Sequence, residues 1–177
     1  VPKKTRPDTV YFHLGVGSDY YYAIEDWNSR WPKGGAITEW HFLFGLRYRW
    51  LELDFDVGLS YWVDRNQEVS GLDHPVDRKY TYLVVHAGFW GYSLMLDWLR
   101  LRHGFRIGCY GLVKATNQDS ETRRRDEIEQ LFTIPSIRLF PVEVQLGWKY
   151  FWVTLTPFGW VAWEKTFLGM LGVRVEL

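Results

Sequence analysis

Residues 51–63 have the sequence LELDFDVGLSYWV, in which apolar and polar residues alternate with almost no exception. The odd positions are apolar throughout, whereas Glu52, Asp54 and Asp56 share the opposite face. Because the side chains of a β-strand point alternately to its two faces, this spacing predicts a strand with one apolar and one charged face. The segment is longer than the usual strand of a soluble protein, about 3–10 residues, and a tilted strand that crosses a bilayer needs about 9–11. It therefore predicts a membrane-spanning strand.

The same alternation recurs along the chain and divides it into eight predicted strands. Their approximate limits are residues 8–18, 36–49, 51–64, 78–96, 98–115, 128–149, 151–163 and 166–177. Short turns are predicted near Trp50, Asp97 and Tyr150. The longer connections, which are polar or contain glycine and proline, are predicted at residues 19–35, 65–77 and 116–127, with a shorter one at 164–165.

An even number of strands, joined by alternating short turns and long loops, is typical of bacterial outer-membrane barrels. The sequence therefore predicts a single all-β domain over residues 1–177. This domain is an eight-stranded antiparallel up-and-down transmembrane barrel, with short periplasmic turns, longer extracellular loops and both termini periplasmic. A soluble lipocalin-like barrel that binds a ligand is the alternative, with the apolar faces inside and the charges in water. Strand length and the unequal connections favour the membrane barrel.

Composition supports the membrane interpretation and excludes one class of partner. Aromatic residues make up 19% of the chain, which fits the aromatic girdles at the two membrane–water interfaces of a barrel. The mean hydropathy of −0.24 is compatible with a membrane, because half of each barrel strand faces a polar interior. Lys and Arg together number 21, as do Asp and Glu, so no net positive field predicts binding to nucleic acid.

Two predicted strands break the alternation and are expected to contain β-bulges, each of which shifts the phase by one residue. In the fourth strand the apolar positions change from odd to even at Trp90 and Tyr92, which predicts a bulge near Gly88–Gly91. In the sixth strand the phase changes around Pro141, which has no backbone N–H to donate to the sheet. On the fifth strand His103 falls on the lipid-facing side, where a polar group is costly unless another protein covers it.

The polar faces predict the contents of the barrel interior. An eight-stranded barrel is only wide enough to be filled by its side chains. Charged groups packed there must pair, because an unpaired buried ion is costly. The residues predicted to form this structural lumen charge network are Arg47, Arg49, Glu52, Asp54, Asp56, Arg100, Arg102, Arg106, Glu143, Lys149, Arg174 and Glu176. Further residues predicted on the same faces are Glu39, His41, Asp64, Lys114 and Gln145.

The last strand, FLGMLGVRVEL, directs Phe167, Leu171, Val173 and Val175 outward. With this strand the chain resembles the small eight-stranded outer-membrane barrels of the OmpA/OmpX type. The resemblance covers the whole chain and lies in its architecture rather than in a specific motif. It implies residence in the outer membrane of a Gram-negative-type bacterium, in contact with membrane lipid and lipopolysaccharide.

Two predicted loops carry residue types that are common at protein interfaces. Tyrosine, tryptophan and arginine are enriched at binding hot spots. In the first loop these residues are Tyr20, Tyr21, Tyr22, Trp27, Arg30 and Trp31. The third loop contains Arg123, Arg124 and Arg125, whose guanidinium groups suit the phosphates of lipopolysaccharide or an acidic partner. An interfacial girdle and ordinary solvated loops are the alternative interpretation of both segments.

The favoured function is a non-catalytic structural or interaction component of the cell envelope, as a subunit of a larger outer-membrane complex. A lipid A acyltransferase or deacylase would need a nucleophile and a base at the outer rim, for which Ser70 and His74 are available. A narrow channel is a further alternative. No phosphate-binding or dinucleotide motif occurs, and the compact cluster of Asp73, His74 and Asp77 is too small for a metal site, so neither a cofactor nor a metal is predicted.

Overall fold

The computed structural model describes residues 9–25, 36–67, 76–118, 125–128, 133–161 and 166–177. The strands are β1 (Val10–Glu25), β2 (Ala36–Tyr48), β3 (Leu51–Gln67), β4 (Val76–Met95), β5 (Leu99–Gln118), β6 (Arg125–Ile128), β7 (Thr133–Trp148), β8 (Phe151–Val161) and β9 (Thr166–Glu176). Within these ranges there is no helix that is long and apolar enough to span a membrane.

Eight of these strands close into an antiparallel barrel. Neighbouring strands pair in the order β4-β3-β2-β1-β9-β8-β7-β5, and β4 pairs with β5 to close the ring. The first and last strands of the chain are neighbours, and Leu14 and Leu177 exchange two backbone hydrogen bonds. The predicted fold class, an all-β barrel of eight antiparallel strands, is therefore confirmed.

The additional strand β6 lies outside the ring. Strand β5 pairs with β7 from Leu99 to Gly111 and then, from Ala115 to Gln118, with β6. Strand β4 continues beside this part of β5, and β3 pairs with β4 as far as Gln67, so β3, β4, β5 and β6 form a small four-stranded extension of the wall at this end. The sequence did not predict this strand.

Away from the bulges, the side chains of the barrel alternate between an exposed, mainly apolar face and a buried face. On β3, Phe55 and Tyr61 are 37% and 50% exposed, whereas Asp54 and Ser60 are fully buried. A soluble barrel would show the opposite arrangement, with its apolar side chains inside. The lipocalin-like alternative is therefore wrong, and the wall is that of a membrane barrel.

The height of the apolar wall matches the hydrocarbon layer of an outer membrane. The outward side chains of β3 are apolar from Leu51 to Tyr61, which lie ten residue steps apart. At about 3.4 Å per residue and a tilt of about 40°, these residues cover about 26 Å along the barrel axis. An outer-membrane barrel typically carries an apolar band about 25 Å tall.

Exposed aromatic rings border this wall on both sides. We call the end that carries the connections at residues 49–50, 96–98 and 149–150 the short-turn end. The rings exposed there belong to Tyr48, Trp50, Trp98, Trp148 and Tyr150. Towards the opposite end, Tyr20, Trp40 and Tyr61 are 46%, 61% and 50% exposed. Such rings are enriched where the apolar band meets the lipid headgroups.

One arginine and one lysine that were predicted to lie in the interior are found in turns. Arg49 and Lys149 have positive φ angles of 54° and 51°, and both follow directly after the last residue of a strand. Tight hairpin turns favour this left-handed backbone conformation because its twist matches that of the flanking strands. Both side chains are exposed at the short-turn end, so their assignment to the lumen network is wrong.

The predicted bulge at Pro141 is confirmed. The register of β7 shifts against both neighbours at this point, and the buried positions change from Ser136, Arg138 and Phe140 to Glu143 and Gln145. Because β7 carries one extra residue here, each side of the bulge still directs polar groups inward.

The prediction of a bulge in β4 near Gly88–Gly91 is wrong. Every even residue from Tyr82 to Tyr92 faces inward, and the register shifts only beyond Tyr92 and at the other end of the strand. Trp90 therefore lies inside the barrel rather than in lipid. A Cβ at Gly88 would approach Trp90 Nε1 to 2.6 Å, so the glycine provides space for the indole ring.

A further shift of the strand register lies at Val113 of β5. Val113 and Lys114 are both exposed, and they separate the buried residues Leu112 and Ala115. Lys114, which was expected inside, therefore points outward because the bulged residue changes the phase of the strand.

Candidate functional site

The interior of the barrel contains two regions of different chemistry. The charged region occupies the part nearer the short-turn end. Its fully or nearly fully buried ionic residues are Asp19, Glu39, Glu52, Asp54, Asp56, Arg100, Arg102, Arg106, Arg138, Glu143 and Arg174. The aromatic–aliphatic region lies towards the opposite end and contains Ile37, Trp62, Tyr82, Leu112, Ala115, Val161, Leu168 and Met170.

Arg102 is the centre of the first group of charges. Its Nη1 donates to Glu52 at 2.8 Å, and its Nε donates to Glu143, so one guanidinium joins β5 to the adjacent β7 and, past β4, to β3. The guanidinium carbon also lies 3.8 Å from the centre of the Trp90 ring. The Tyr92 hydroxyl donates a hydrogen bond to Glu52 at 2.6 Å, so this carboxylate accepts a second hydrogen bond in addition to that from Arg102.

Arg106 lies four residues beyond Arg102 on the same face of β5 and forms the centre of a second group of charges. Its Nη1 donates to Asp19 of β1 at 3.2 Å, and its Nε lies 3.7 Å from Asp56 of β3. Asp56 also contacts Nδ1 of His86 at 3.1 Å. This group connects strands on opposite sides of the ring through the middle of the interior.

The third group is formed by Arg138, Glu39 and Tyr110. Arg138 Nη2 donates to Glu39 at 3.0 Å, and Tyr110 donates its hydroxyl to the same carboxylate. The Arg138 guanidinium carbon lies 4.3 Å from the centre of the Tyr21 ring, which places an aromatic face against the charge. Arginine suits this role because its planar group can both pair with a carboxylate and stack.

Partly exposed pairs lie at the mouth of the short-turn end. Arg100 donates to Glu176 at 2.9 Å, and their side chains are 11% and 12% exposed. Arg47, with 18% exposure, lies 3.9 Å from Glu52. These pairs connect the buried groups to the solvent side of the barrel.

Most of the predicted network residues lie where the sequence placed them. Glu52, Asp54, Asp56, Arg100, Arg102, Arg106, Glu143 and Arg174 are buried inside the barrel, with Arg47 and Glu176 at its mouth. Glu39, His41 and Gln145 are also buried as expected, whereas the side chain of Asp64 lies outside the described residues. Residues that the sequence analysis missed are Asp19, Arg138, His13 and His86.

The tyrosines assigned to the first loop belong to β1. Tyr20 and Tyr22 are exposed on the outer wall, whereas Tyr21 is fully buried and its hydroxyl lies 3.3 Å from Asp19. Tyr21 is therefore an interior residue, and its assignment as an accessible binding residue is wrong. Trp27, Arg30, Trp31, Arg123 and Arg124 lie outside the described residues. Arg125 begins β6, but its side chain is not described.

One polar pair interrupts the apolar outer wall. His103 is exposed on β5, as predicted, and its Nδ1 lies 3.3 Å from the hydroxyl of Ser93 on β4. Beside it, a shallow groove of about 560 Å³ lies over Gly91 and Gly104, between Leu53, Phe89 and Phe105. The wall at β4 and β5 thus combines a polar pair with a concave apolar surface.

Comparison with solved structures identifies the same architecture. Neisserial surface protein A (NspA) aligns over 96% of this chain and 99% of its own, with a TM-score of 0.53 and 11% identity. The attachment invasion locus protein Ail of Yersinia pestis, in complex with the heparin analogue sucrose octasulfate, covers 95% of this chain and 97% of its own, with a TM-score of 0.45 and 11% identity. A second structure of Ail covers the same shares at a TM-score of 0.43 and 14% identity.

The comparison with NspA establishes a shared fold, that of the small outer-membrane β-barrels. No protein-family model and no curated protein matches the chain.

Proposed function

We propose that this chain is a non-catalytic interaction component of the outer membrane of a Gram-negative-type bacterium, and that it is a subunit of a larger outer-membrane complex. Its termini face the periplasm, and its wall contacts membrane lipid and lipopolysaccharide. The observation that carries the proposal is the His103–Ser93 pair on the lipid-facing side of β4 and β5.

Polar side chains on the lipid-facing side of a barrel are unfavourable, because the hydrocarbon offers no hydrogen-bond partners. His103 lies four residues into β5, above the girdle residue Trp98, and its neighbours on the outer face, Leu101 and Phe105, are apolar. A second protein in contact with this surface would remove the pair from lipid and could supply a further hydrogen bond. The adjacent groove offers apolar side chains for packing.

The interior supports a structural rather than a transport role. The Arg106 and Arg138 groups each join strands on opposite sides of the ring, the Arg102 group joins β5 to β7 and β3, and all three arginines are buried. An eight-stranded barrel whose inward side chains interlock in this way has no open path of the kind found in the larger porins. This favours the interaction function over the narrow channel.

Site-specific photocrosslinking in intact cells tests the proposed interface. A photoreactive amino acid at Ser93 is expected to give a discrete adduct that contains a second envelope protein. Leu171 of β9 is the matched control, since it is exposed on the opposite side of the ring and lies in the same apolar belt. Folding of both variants is checked first by the different migration of unboiled and boiled samples on SDS gels.

Two results would contradict the proposal. If position 93 gave only lipid adducts, as expected for position 171, the wall at β4 and β5 would be an ordinary lipid-facing surface. Equal protein adducts at both positions would show crowding in the membrane rather than a specific interface.

Aromatic and basic residues provide a second contact surface in this proposal. Tyr20 and Tyr22 lie on the outer wall towards the end opposite the short turns. We also propose that the segment with Arg123, Arg124 and Arg125 contacts lipopolysaccharide phosphates, since charge-assisted hydrogen bonds from guanidinium groups to phosphate are strong.

A further inference from the structure

Two tight turns at the short-turn end have the same local arrangement. The β2–β3 turn at residues 48–50 reads Tyr-Arg-Trp, and the β7–β8 turn at residues 148–150 reads Trp-Lys-Tyr. The central cation has a positive φ angle in both turns, 54° for Arg49 and 51° for Lys149, and the aromatic residues on either side are exposed. A positive charge is therefore held between two exposed rings at two places on the same rim.

Both cations lie at the depth of the lipid headgroups. The first residues after the turns, Leu51 and Phe151, are exposed and apolar and begin the apolar wall on this side. Arg49 and Lys149 precede them by two residues, which corresponds to about 5 Å along the axis of a barrel with strands tilted by about 40°. The polar layer of a bilayer extends about 5–7 Å beyond the hydrocarbon on each side. The two side chains are thus in reach of headgroup phosphates.

The charges near the β7–β8 turn leave its cation available for an anion. No carboxylate of the described residues lies within ion-pair distance of Lys149, whereas Arg100, at the mouth of the same end, is paired with Glu176. The third short turn, between β4 and β5, carries the acidic residue Asp97 in place of a cation. The arrangement of one cation between two rings is therefore specific to the other two turns.

The chemistry of these turns selects an anionic headgroup. The Arg49 guanidinium carbon lies 5.1 Å from the centre of the Tyr48 ring, and a guanidinium pairs with phosphate through parallel hydrogen bonds. The Lys149 ammonium supplies a compact charge with three donors. In a zwitterionic lipid the headgroup ammonium cancels the phosphate charge, so a basic turn is attracted mainly to lipids with net negative charge.

From this geometry we propose that the turns at Arg49 and Lys149 each bind the phosphate of one anionic glycerophospholipid in the leaflet at the short-turn end. The β2–β3 and β7–β8 pairs lie on opposite sides of the ring, with two strands between them in either direction, so the turns bind separate lipid molecules. The inference rests on the membrane position in the proposed function, in which this leaflet is periplasmic, but it does not require a partner protein.

Native mass spectrometry of the detergent-solubilised protein provides the direct test. The protein is released from micelles that contain equal amounts of phosphatidylglycerol and phosphatidylcholine, and the retained lipids are identified. The wild type is expected to retain two phosphatidylglycerol molecules in preference to phosphatidylcholine. Equal retention of the two lipids would overturn the proposal.

Single substitutions assign the lipids to the turns. Arg49→Gln and Lys149→Gln should each lower phosphatidylglycerol retention at one site about fivefold, since a basic residue near an anionic lipid surface contributes about that factor. Lys149→Arg keeps the charge and should bind as the wild type does. The matched control is Lys114→Gln, which removes the same charge from an exposed side chain towards the opposite end. An equal loss in this control would show an effect of net charge and would overturn the assignment.

Stability in vesicles provides a second readout, which needs no lipid to survive transfer to the gas phase. The temperature at which the folded band is lost on SDS gels should be higher in phosphatidylglycerol than in phosphatidylcholine vesicles at constant ionic strength, because a ligand that binds only the folded state stabilises it. The difference should shrink in the double variant Arg49→Gln/Lys149→Gln and persist in Lys114→Gln. An undiminished difference in the double variant would contradict the two sites.

A competition with lipid A distinguishes the source of the phosphate. The double variant should retain lipid A as the wild type does, because the proposed contact with lipopolysaccharide lies at the opposite end. Loss of lipid A with unchanged retention of phosphatidylglycerol would overturn the assignment to a phospholipid. Crosslinking at Ser93 tests the protein interface separately, so either proposal can fail without the other.

Discussion

Arg102 and Leu168 are both buried in the barrel interior, but different forces hold them there. Arg102 lies in the charged region and is bonded to carboxylates on two other strands. Leu168 is fully buried in the aromatic–aliphatic region, and its interior neighbour on the same strand is Met170. The first residue is stabilised by a few directed contacts, the second by removal of its apolar surface from water.

This difference predicts how each region responds to damage. In a buried ion pair each charge compensates the other. The loss of one side chain therefore leaves the other buried charge without compensation. A packed aliphatic side chain leaves a cavity, whose cost depends on how far its neighbours relax. The charged region should therefore be stable as a complete network and sensitive to any single loss.

The largest effect is expected for Arg102→Met. The substitution keeps an unbranched side chain but leaves Glu52 and Glu143 without their shared counter-charge, which should lower the unfolding free energy by about 3–5 kcal/mol. The measurement is urea unfolding in detergent micelles or lipid vesicles, followed by tryptophan fluorescence.

Neutralising the acids provides the control for this prediction. A variant with Arg102→Met, Glu52→Gln and Glu143→Gln should recover part of the lost stability, since amides can be buried with hydrogen bonds at lower cost than ions. If the triple variant were less stable than Arg102→Met alone, packing of the guanidinium rather than its charge would dominate.

A smaller loss, about 3 kcal/mol, is expected for Leu168→Ala in the aromatic–aliphatic region, as for other buried leucines. Leu171→Ala on the same strand is the matched control, because Leu171 is 49% exposed on the outer wall. Truncation there leaves a site that lipid can fill, so its unfolding free energy should fall less in the same urea titration. Equal losses at both positions would show that packing inside this region contributes little.

The smallest effect tests one hydrogen bond at the boundary between the two regions. Trp90→Phe retains a large ring and removes the N–H that donates to Asp54, so the unfolding free energy should fall by about 1–2 kcal/mol. No measurable change in urea unfolding would indicate that the carboxylate finds another donor after the substitution.

Alternation, together with the turn and loop signals and the strand lengths, was sufficient to predict the eight barrel strands and most of the inward charges. It succeeded because lipid outside and charges inside impose a period of two residues on every strand. It failed where the alternation continues beyond the apparent strand. Asp19 and Tyr21 keep the inward phase of β1, but their polar and aromatic neighbours were interpreted as a loop.

The other errors have different physical causes. The sequence shows where an indole lies along a strand, but the carboxylate that accepts from Trp90 lies on the neighbouring strand, so Trp90 was assigned to lipid. Arg138 is buried and was missed, although the sequence analysis already predicted that the phase of this strand changes around Pro141. The two-residue alternation, continued past the end of β2, assigns Arg49 to the inward face. Arg49 lies instead in a hairpin turn, which interrupts the alternation.

Strand β6 forms a free sheet edge, a feature that a closed ring of strands does not have. Beyond Gly111 the sheet leaves the cylinder, and Arg125–Ile128 pairs with β5 on one side only among the described residues. Such an edge presents backbone donors and acceptors to any extended chain that comes near it. Its four residues offer few of them, and short edge strands of this kind are one means by which natural sheets limit self-association.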